Sequence, residues 1–169
     1  MVAESGVPPA LEGDIVLEAS KLEKTYQSRL PFIGRSVEVL TGADITLTEG
    51  EIVGIVGGNG SGKSTLMKVL VGALPADSGH VTRGGTIGWC PQDTLLYDRL
   101  TVAETFDLFG EAYDLPDDYV LDRRDELADC LEFEQFLDYR VDHLSGGNRQ
   151  KVNLAIALLH DPDLLLLDE

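Results

Sequence analysis

Basic residues are scarce in this sequence. Its 169 residues contain thirteen Lys and Arg against thirty Asp and Glu, which gives a formal net charge of -17. A protein that binds nucleic acid through phosphates presents a basic face, so we expect no nucleic acid partner. An excess of acid is also typical of proteins from a very salty cytoplasm, because the Debye length falls to about 3 Å at about 1 M salt and like charges then hardly repel. We therefore expect a halophilic source.

Long apolar runs and paired cysteines are also lacking. No stretch approaches the roughly 18–20 apolar residues that cross a bilayer, and residues 1–13 resemble neither a secretory signal nor a transit peptide. Cys90 and Cys130 lie far apart without a CxxC pattern, which is typical of buried thiols in a reducing compartment. We expect a cytoplasmic protein that reaches a membrane only through a partner.

Short strands are predicted in the first third of the chain. A strand at 14–19, a loop at 27–36 and two strands at 37–40 and 43–47 suggest an antiparallel sheet. Residues 52–56, IVGIV, form a continuous apolar run. Such a run predicts a central parallel strand that is buried on both faces.

Helical patterns dominate the rest of the chain until a final apolar strand at 164–167, which Asp168 and Glu169 follow. Helices are predicted at 101–113 and 123–139 from the spacing of apolar residues. Another helix follows residue 62, where one buried stripe is predicted from Leu66, Met67, Leu70, Val71 and Leu74. This order indicates an α/β core with a helical insertion.

Glycines are concentrated at residues 57–64, GGNGSGKS, between the predicted buried strand and a helix. The pattern matches a Walker A loop, in which curled backbone N–H groups and a helix N-terminus face phosphate oxygens. We expect Lys63 to reach the β- and γ-phosphates and Ser64 to coordinate Mg²⁺. The predicted nucleotide-binding residues here are Gly57, Gly58, Asn59, Gly60, Ser61, Gly62, Lys63, Ser64 and Thr65. The structural alternative is a glycine turn before an ordinary helix.

A second motif, LSGGN, comprises Leu144, Ser145, Gly146, Gly147 and Asn148. It precedes a helical pattern with an apolar side formed by Val152, Ala155, Ile156 and Leu159. By itself it could be a serine N-cap with a glycine turn. Combined with the Walker A loop, it resembles the signature sequence of the ATP-binding cassette (ABC) ATPases, whose usual fifth residue is Gln. The resemblance implies that this motif holds the γ-phosphate of ATP bound to an opposite subunit.

Further residues fall in the order of that family. Tyr26 resembles the aromatic residue that stacks on adenine, and Gln92 resembles the Q-loop glutamine that senses Mg²⁺ and the attacking water. Asp168 resembles the Walker B aspartate, and Glu169 resembles the general base. The resemblance thus implies Glu169, Lys63 and Gln92 as catalytic residues and Ser64, Gln92 and Asp168 as magnesium ligands. Alone, each of these residues has an ordinary structural explanation.

The resemblance implies a RecA-like P-loop NTPase fold: a parallel-sheet core, an N-terminal antiparallel β subdomain and an inserted helical subdomain. Family members continue past the Walker B glutamate to a switch histidine, so we expect a domain that is incomplete at its C-terminus and poorly active alone. The expected parts are a flexible tail at 1–13, a β subdomain with the P-loop core at 14–94, a helical subdomain at 95–157 and the Walker B strand at 158–169.

The function implied is that of an ATP-hydrolysing subunit of an ABC transporter, peripheral to the cell membrane. Its expected partners are a second cassette, identical or different, and a transmembrane permease. Residues 100–104 and 113–116 look like cassettes of exporters, which favours export. The alternatives are a soluble ABC ATPase of DNA repair or translation, a nucleotide-binding module without catalysis, and an unrelated P-loop kinase or GTPase. The last of these does not explain LSGGN.

The charge balance leads to a first prediction. If the acidic surface is an adaptation to salt, screening by molar KCl will relieve self-repulsion and raise the melting temperature of the protein. Melting curves between low and molar KCl measure this effect. A midpoint that stays flat or falls as KCl rises contradicts the halophilic interpretation.

Overall fold

The computed structural model describes residues 15–27 and 36–168, and the chain divides into two compact units. The first unit ends at Gly85 and the second begins at Thr86. The subdomain boundaries that the sequence places at 94 and 157 stay predictions. Three predicted features lie outside the described residues: the tail at 1–13, the middle of the loop at 27–36, and Glu169.

The first unit contains a three-stranded antiparallel sheet formed by β1 (Ile15–Gln27), β2 (Ser36–Thr48) and β3 (Ser78–Arg83). Strand β1 lies in the middle, so the order is β2-β1-β3. Leu17 and Ala19 are buried while Glu18 between them is exposed, because successive residues of a strand point to opposite faces. This sheet confirms the predicted antiparallel β subdomain.

Strand β2 joins two segments, 37–40 and 43–47, that the sequence predicts as separate strands. Its pairing with β1 continues across Gly42, which has φ of 96°, with shifts of register on either side of Leu22. The irregularity therefore bends one strand instead of ending it. The sequence did not predict β3, since SGHVTR offers Val81 as its one large apolar residue.

The apolar run at 52–56 does not form the buried central strand that its composition predicts. The structure assigns no strand there, and the side chains of Ile52 and Val56 are 98% and 97% exposed. A strand is held by hydrogen bonds to a neighbour, and no ladder between the described strands includes this run. The prediction was wrong at this position because apolar composition does not by itself supply a partner strand.

Helix α1 (Lys63–Val71) follows the glycine loop, as predicted. Leu70 of the predicted stripe is buried, and Val69 is buried beside it. The helix ends at Gly72, which has φ of 84° and whose N–H donates to the carbonyl of Val69. A left-handed glycine of this kind is a common helix terminator, so the predicted stripe stops before Leu74.

The second unit contains a two-stranded parallel sheet and three α-helices among its described residues. The strands pair from Ile87 opposite Leu164 to Cys90 opposite Leu167. The strand at 164–167 was predicted, and its parallel pairing confirms the predicted parallel sheet, whereas the sequence did not predict its partner strand at 87–90. The helices confirm the predicted helical insertion. The elements are β4 (Ile87–Cys90), α2 (Val102–Ala112), α3 (Asp117–Leu131), α4 (Gly146–Leu158) and β5 (Leu164–Leu167). No helix in residues 15–27 or 36–168 combines the length and the hydropathy that a bilayer span requires.

Helix α2 begins where the sequence predicts, because Thr101 and Glu104 form a capping box. The Thr101 hydroxyl accepts a hydrogen bond from the Glu104 N–H at 3.1 Å. The Glu104 carboxylate accepts one from the Thr101 N–H at 2.7 Å. Two N–H groups at the helix start are thereby satisfied, which fixes the first turn.

Helix α3 is displaced from the predicted helix at 123–139. It begins at Asp117, after the extended Pro116, and ends at Leu131. Two acidic residues in its first turn suit the positive end of the helix dipole, which explains the early start. Glu132 then takes a left-handed conformation with φ of 57°, which ends the helix.

The core of the second unit forms between α2, α3 and α4. Phe106 of α2 and Phe133, just after α3, are fully buried and stack with ring centroids 6.4 Å apart. Val152, Ala155 and Ile156 of α4 are buried in the same cluster. The apolar face that the sequence predicts for α4 is thereby confirmed.

This core leads to a second prediction. Phe106→Ala leaves a cavity and removes the ring contact with Phe133, so the free energy of unfolding is expected to fall by about 3–5 kcal/mol. Leu108→Ala on the same helix is the control, since Leu108 is exposed and its loss should cost less than about 1 kcal/mol. Urea denaturation measures both values. Equal losses for the two variants would show that Phe106 is not a core residue.

Candidate functional site

The glycine loop at 57–64 forms a tight turn that leads directly into α1. The N–H of Ser61 donates to the carbonyl of Gly58 at 3.1 Å, and the N–H of Leu66 donates to the carbonyl of Gly62 at 2.8 Å. The first bond closes the turn and the second starts the helix. The order of turn and helix that the Walker A pattern predicts is therefore present.

Gly62 is the position where this loop requires glycine. Its φ is 97°, in the left-handed region, and a Cβ added there would lie 2.8 Å from Cγ1 and 2.9 Å from the carbonyl oxygen of Val39 in β2. A side chain would therefore strain the backbone and collide with the strand. The close approach of the loop to β2 depends on this glycine.

Lys63 folds back over the loop. Its Nζ donates to the carbonyl of Gly57 at 2.8 Å and to that of Gly58 at 3.3 Å. A cavity of about 220 Å³ beside it is lined by the loop and the first turn of α1, and by Val39. The first turn of α1 contains no acidic residue. This side of the loop therefore combines a full positive charge with the positive end of a helix dipole.

In the second unit, the ends of the parallel strands bring Gln92 and Asp168 to the same edge of the sheet. Gln92 lies just past β4 and Asp168 just past β5. The N–H of Asp168 donates to the carbonyl of Cys90 at 3.0 Å, which extends the pairing beyond β5. The carboxyl edge of parallel strands is a usual place for ligand-binding side chains in α/β folds. Glu169 is the next residue, outside the described part of the chain.

The LSGGN motif forms the entry to α4. Ser145 is the N-cap, and its Oγ accepts a hydrogen bond from the N–H of Asn148 at 3.3 Å. Leu144 is buried, which anchors the motif to the core. Gly146 and Gly147 lie in the first turn, where an added Cβ would meet nothing within 4 Å. Packing within the chain thus does not require glycine at either position.

Tyr26 lies near the end of β1 and pairs with Val37 of β2. It is 43% exposed. Its ring is thus available at the surface of the first unit. The stacking role that the resemblance implies stays a prediction.

The sequence did not predict Asn153 as a functional residue, although it is one of two buried polar residues among those described. Its Nδ2 donates to the carbonyl of Pro91 at 3.1 Å and to Sγ of Cys90 at 3.2 Å. Burial raises the pKa of the Cys90 thiol, and the hydrogen bond from Asn153 lowers it by a smaller effect. The signal in the sequence was a lone amide next to the apolar face of α4.

Comparisons with known proteins agree on one family. The profile of the ABC transporter family matches residues 40–169, more than half of the chain. ABC transporter G family member 23 of Dictyostelium discoideum is 32% identical over 169 residues, covering 92% of this chain and 23% of that protein. The linearmycin resistance ATP-binding protein LnrL of Bacillus subtilis (strain 168) is 30% identical over 166 residues, covering 91% of this chain and 51% of that protein.

The fold agrees with the same family. A solved structure described as the ATP-binding subunit of an ABC transporter is 28% identical with a TM-score of 0.76, covering 91% of this chain and 66% of that chain. The chain spans about half or less of the length of the two curated relatives above. The family match, the glycine loop before α1 and the capped glycine turn before α4 lead to one conclusion: this chain belongs to the ABC transporter family, as its ATP-binding domain.

Proposed function

We propose that this chain binds Mg-ATP and hydrolyses ATP to drive an ABC transporter. The observation that carries the proposal is the glycine loop, over which Lys63 lies at hydrogen-bond distance from the carbonyls of Gly57 and Gly58. An ammonium group in a loop that leads directly into the N-terminus of a helix is a favourable site for a polyphosphate. Few ligands other than a polyphosphate need both an ammonium group and the N–H groups of a helix N-terminus.

The fit of a nucleotide is supported by the shape of the loop. The left-handed Gly62 leads the backbone into α1 without a side chain at the cap position. The N–H groups of the first turn can therefore approach phosphate oxygens without steric hindrance. Ser64 and Thr65 line the same cavity and add hydroxyl groups. We assign residues 57–65 to phosphate binding and Tyr26 to adenine stacking.

The fit of magnesium follows from the kind of donors present. No group of three or more His, Cys, Asp or Glu side chains among residues 15–27 and 36–168 could hold a metal ion by itself. Mg²⁺ is commonly held by one or two protein oxygens together with substrate phosphates, so the nucleotide must supply part of its shell. Ser64, Gln92 and Asp168 carry the oxygen atoms that we assign to it. When bound, Mg²⁺ neutralises charge on the phosphate oxygens.

The remaining residues have roles in orientation. Lys63 binds the β- and γ-phosphates, and Gln92 and Glu169 orient the attacking water, with Glu169 as general base. These groups act by position and charge, since phosphoryl transfer needs little covalent chemistry from the protein. The roles come from the resemblance and are proposals for this chain.

The glycines of LSGGN support a second ligand contact. Glycine in a helix costs about 1 kcal/mol relative to alanine, and neither Gly146 nor Gly147 is required by packing within the chain. A backbone that must be approached closely from outside would explain both. We assign residues 144–148 to the γ-phosphate of ATP bound by a second cassette, which makes a dimer, identical or mixed, the active form.

The whole protein would act at the cytoplasmic face of a membrane, together with a permease. Export is the favoured direction, because the relative LnrL is named for resistance to linearmycin, and resistance is commonly achieved by removal of a toxic compound. The exporter-like residues at 100–104 and 113–116 support the same direction, while the substrate depends on the permease.

A third prediction tests nucleotide binding. Lys63→Ala removes the charged donor from the loop, so the Kd for Mg-ATP is expected to rise about 10-fold to 100-fold, as the loss of a charged hydrogen bond implies. The control is Lys68→Ala, in the last turn of the same helix and exposed. Titration calorimetry measures both. An unchanged Kd for Lys63→Ala would remove the loop from the nucleotide site.

A fourth prediction tests hydrolysis. In the whole protein, Glu169→Gln is expected to keep ATP binding while kcat falls by about 10²-fold to 10⁴-fold, because the amide cannot accept a proton from water. Glu134→Gln, at an exposed position of the second unit, is the control. Phosphate release gives kcat, and a competition assay gives the Kd. Turnover at the normal rate would show that Glu169 is not the base.

A further inference from the structure

Three side chains of α4 contact the segment at 90–98, which carries Gln92. Asn153 donates to Cys90 Sγ and to the carbonyl of Pro91, as described above. Gln150 Nε2 donates to the carbonyl of Gln92 at 3.2 Å. The peptide groups on both sides of the Gln92 Cα are thus held from the same helix.

A third contact lies further along the segment. Arg149 forms an ion pair with Asp98 at 2.8 Å, and its guanidinium lies 3.5 Å from the hydroxyl of Thr94. Asp98 is largely exposed, so solvent screens this pair and it contributes little. The side-chain amides of Gln150 and Asn153 therefore contribute most to holding the segment against α4.

The hydrogen bonds of Asn153 hold the segment most firmly, because its side chain is buried, with 4% of the residue exposed. A buried amide group without partners is costly, so its position is fixed by the acceptors that it finds. Here the acceptors are the last residue of β4 and the proline that follows it. An apolar residue would pack at this position as well, yet it would leave the Pro91 carbonyl without this donor.

We propose that Asn153 is a positioning residue for Gln92, with Gln150 in a supporting role, so that Gln92 and the LSGGN motif at the start of α4 move as one body. This inference rests on the proposed function, which gives Gln92 its role. A displacement of α4 at its N-terminus is then transmitted to the glutamine through two side-chain amides. Misplacement by about 1 Å can cost about 10²-fold in rate, so a small shift is sufficient.

The first test measures the segment directly and needs no ATP. Asn153→Leu keeps the number and branching of the side-chain heavy atoms but cannot donate, so hydrogen–deuterium exchange in peptides covering 92–98 is expected to rise at least about fivefold. The control is Thr105→Val, which removes another buried hydrogen bond of the same unit, from the Thr105 hydroxyl to the carbonyl of Thr101 at 2.8 Å. Thr105→Val should leave exchange at 92–98 unchanged.

A second pair of variants covers the case in which Asn153→Leu does not fold. Gln150 is exposed, so Gln150→Ala should fold normally and still release the Gln92 carbonyl. Exchange at 92–98 is expected to rise about twofold. Gln135→Ala, at another exposed glutamine, is the matched control and should have no effect.

The kinetic test uses the whole protein. Asn153→Leu and Gln150→Ala should lower kcat, by about 10-fold to 100-fold and about 3-fold respectively, with KM for ATP changed less than about 2-fold. Both should raise the Mg²⁺ concentration needed for half-maximal rate. A merely structural role would instead lower the active fraction and leave kcat per folded molecule unchanged.

The outcomes separate the two proposals. If exchange at 92–98 rises in neither variant of α4, or rises equally in the controls, the positioning role is wrong. If exchange rises as expected but the wild-type protein neither binds nor hydrolyses ATP, the positioning contact stands and the proposed function fails. If exchange rises and kcat per folded molecule stays unchanged, the contact exists but does not position Gln92 for the reaction, and the inference is overturned.

Discussion

Helix α4 packs its apolar face into the core of the second unit, and this packing decides where its polar residues lie. Val152 and Ala155 are fully buried, so the helix cannot rotate about its axis without exposing them. A close approach to β4 is possible because Gly88 has no side chain: a Cβ there would lie 2.8 Å from Cγ of Pro162 and would contact the carbonyl of Ala157. With rotation and distance fixed, Asn153 faces the end of β4.

The two helices that follow glycine-rich turns, α1 and α4, are capped at their N-termini in different ways. Before α1, the cap is a left-handed glycine, Gly62, and the lysine that follows it supplies positive charge. Before α4, Ser145 uses its own hydroxyl as the cap, and two glycines follow in open space. The first turn is shaped by contacts within the chain, whereas packing within the chain does not require the glycines of the second, which we assign to contact with a ligand from outside.

Local signals in the sequence were sufficient for features that local contacts determine. The start of α2 near Thr101, the apolar face of α4 and the turn before α1 each depend on residues within one or two helical turns. The strand predicted at 52–56 was wrong, because a strand forms only when another strand pairs with it. The residues of the run carry no information about such a partner. Asn153 was missed for the same reason, since its partner Cys90 lies 63 positions away in the chain.

The acidic composition sets a condition on the proposed nucleotide site. A chain of net charge -17 repels a polyphosphate at long range, while the contact of Lys63 with phosphate is a short-range attraction. In about 1 M salt the Debye length is about 3 Å, so repulsion from charges tens of ångströms away vanishes, whereas a direct hydrogen bond at about 2.8 Å survives. High salt therefore weakens the long-range repulsion of the polyphosphate and leaves its short-range attraction to Lys63. The acidic surface and the positively charged loop are compatible for that reason.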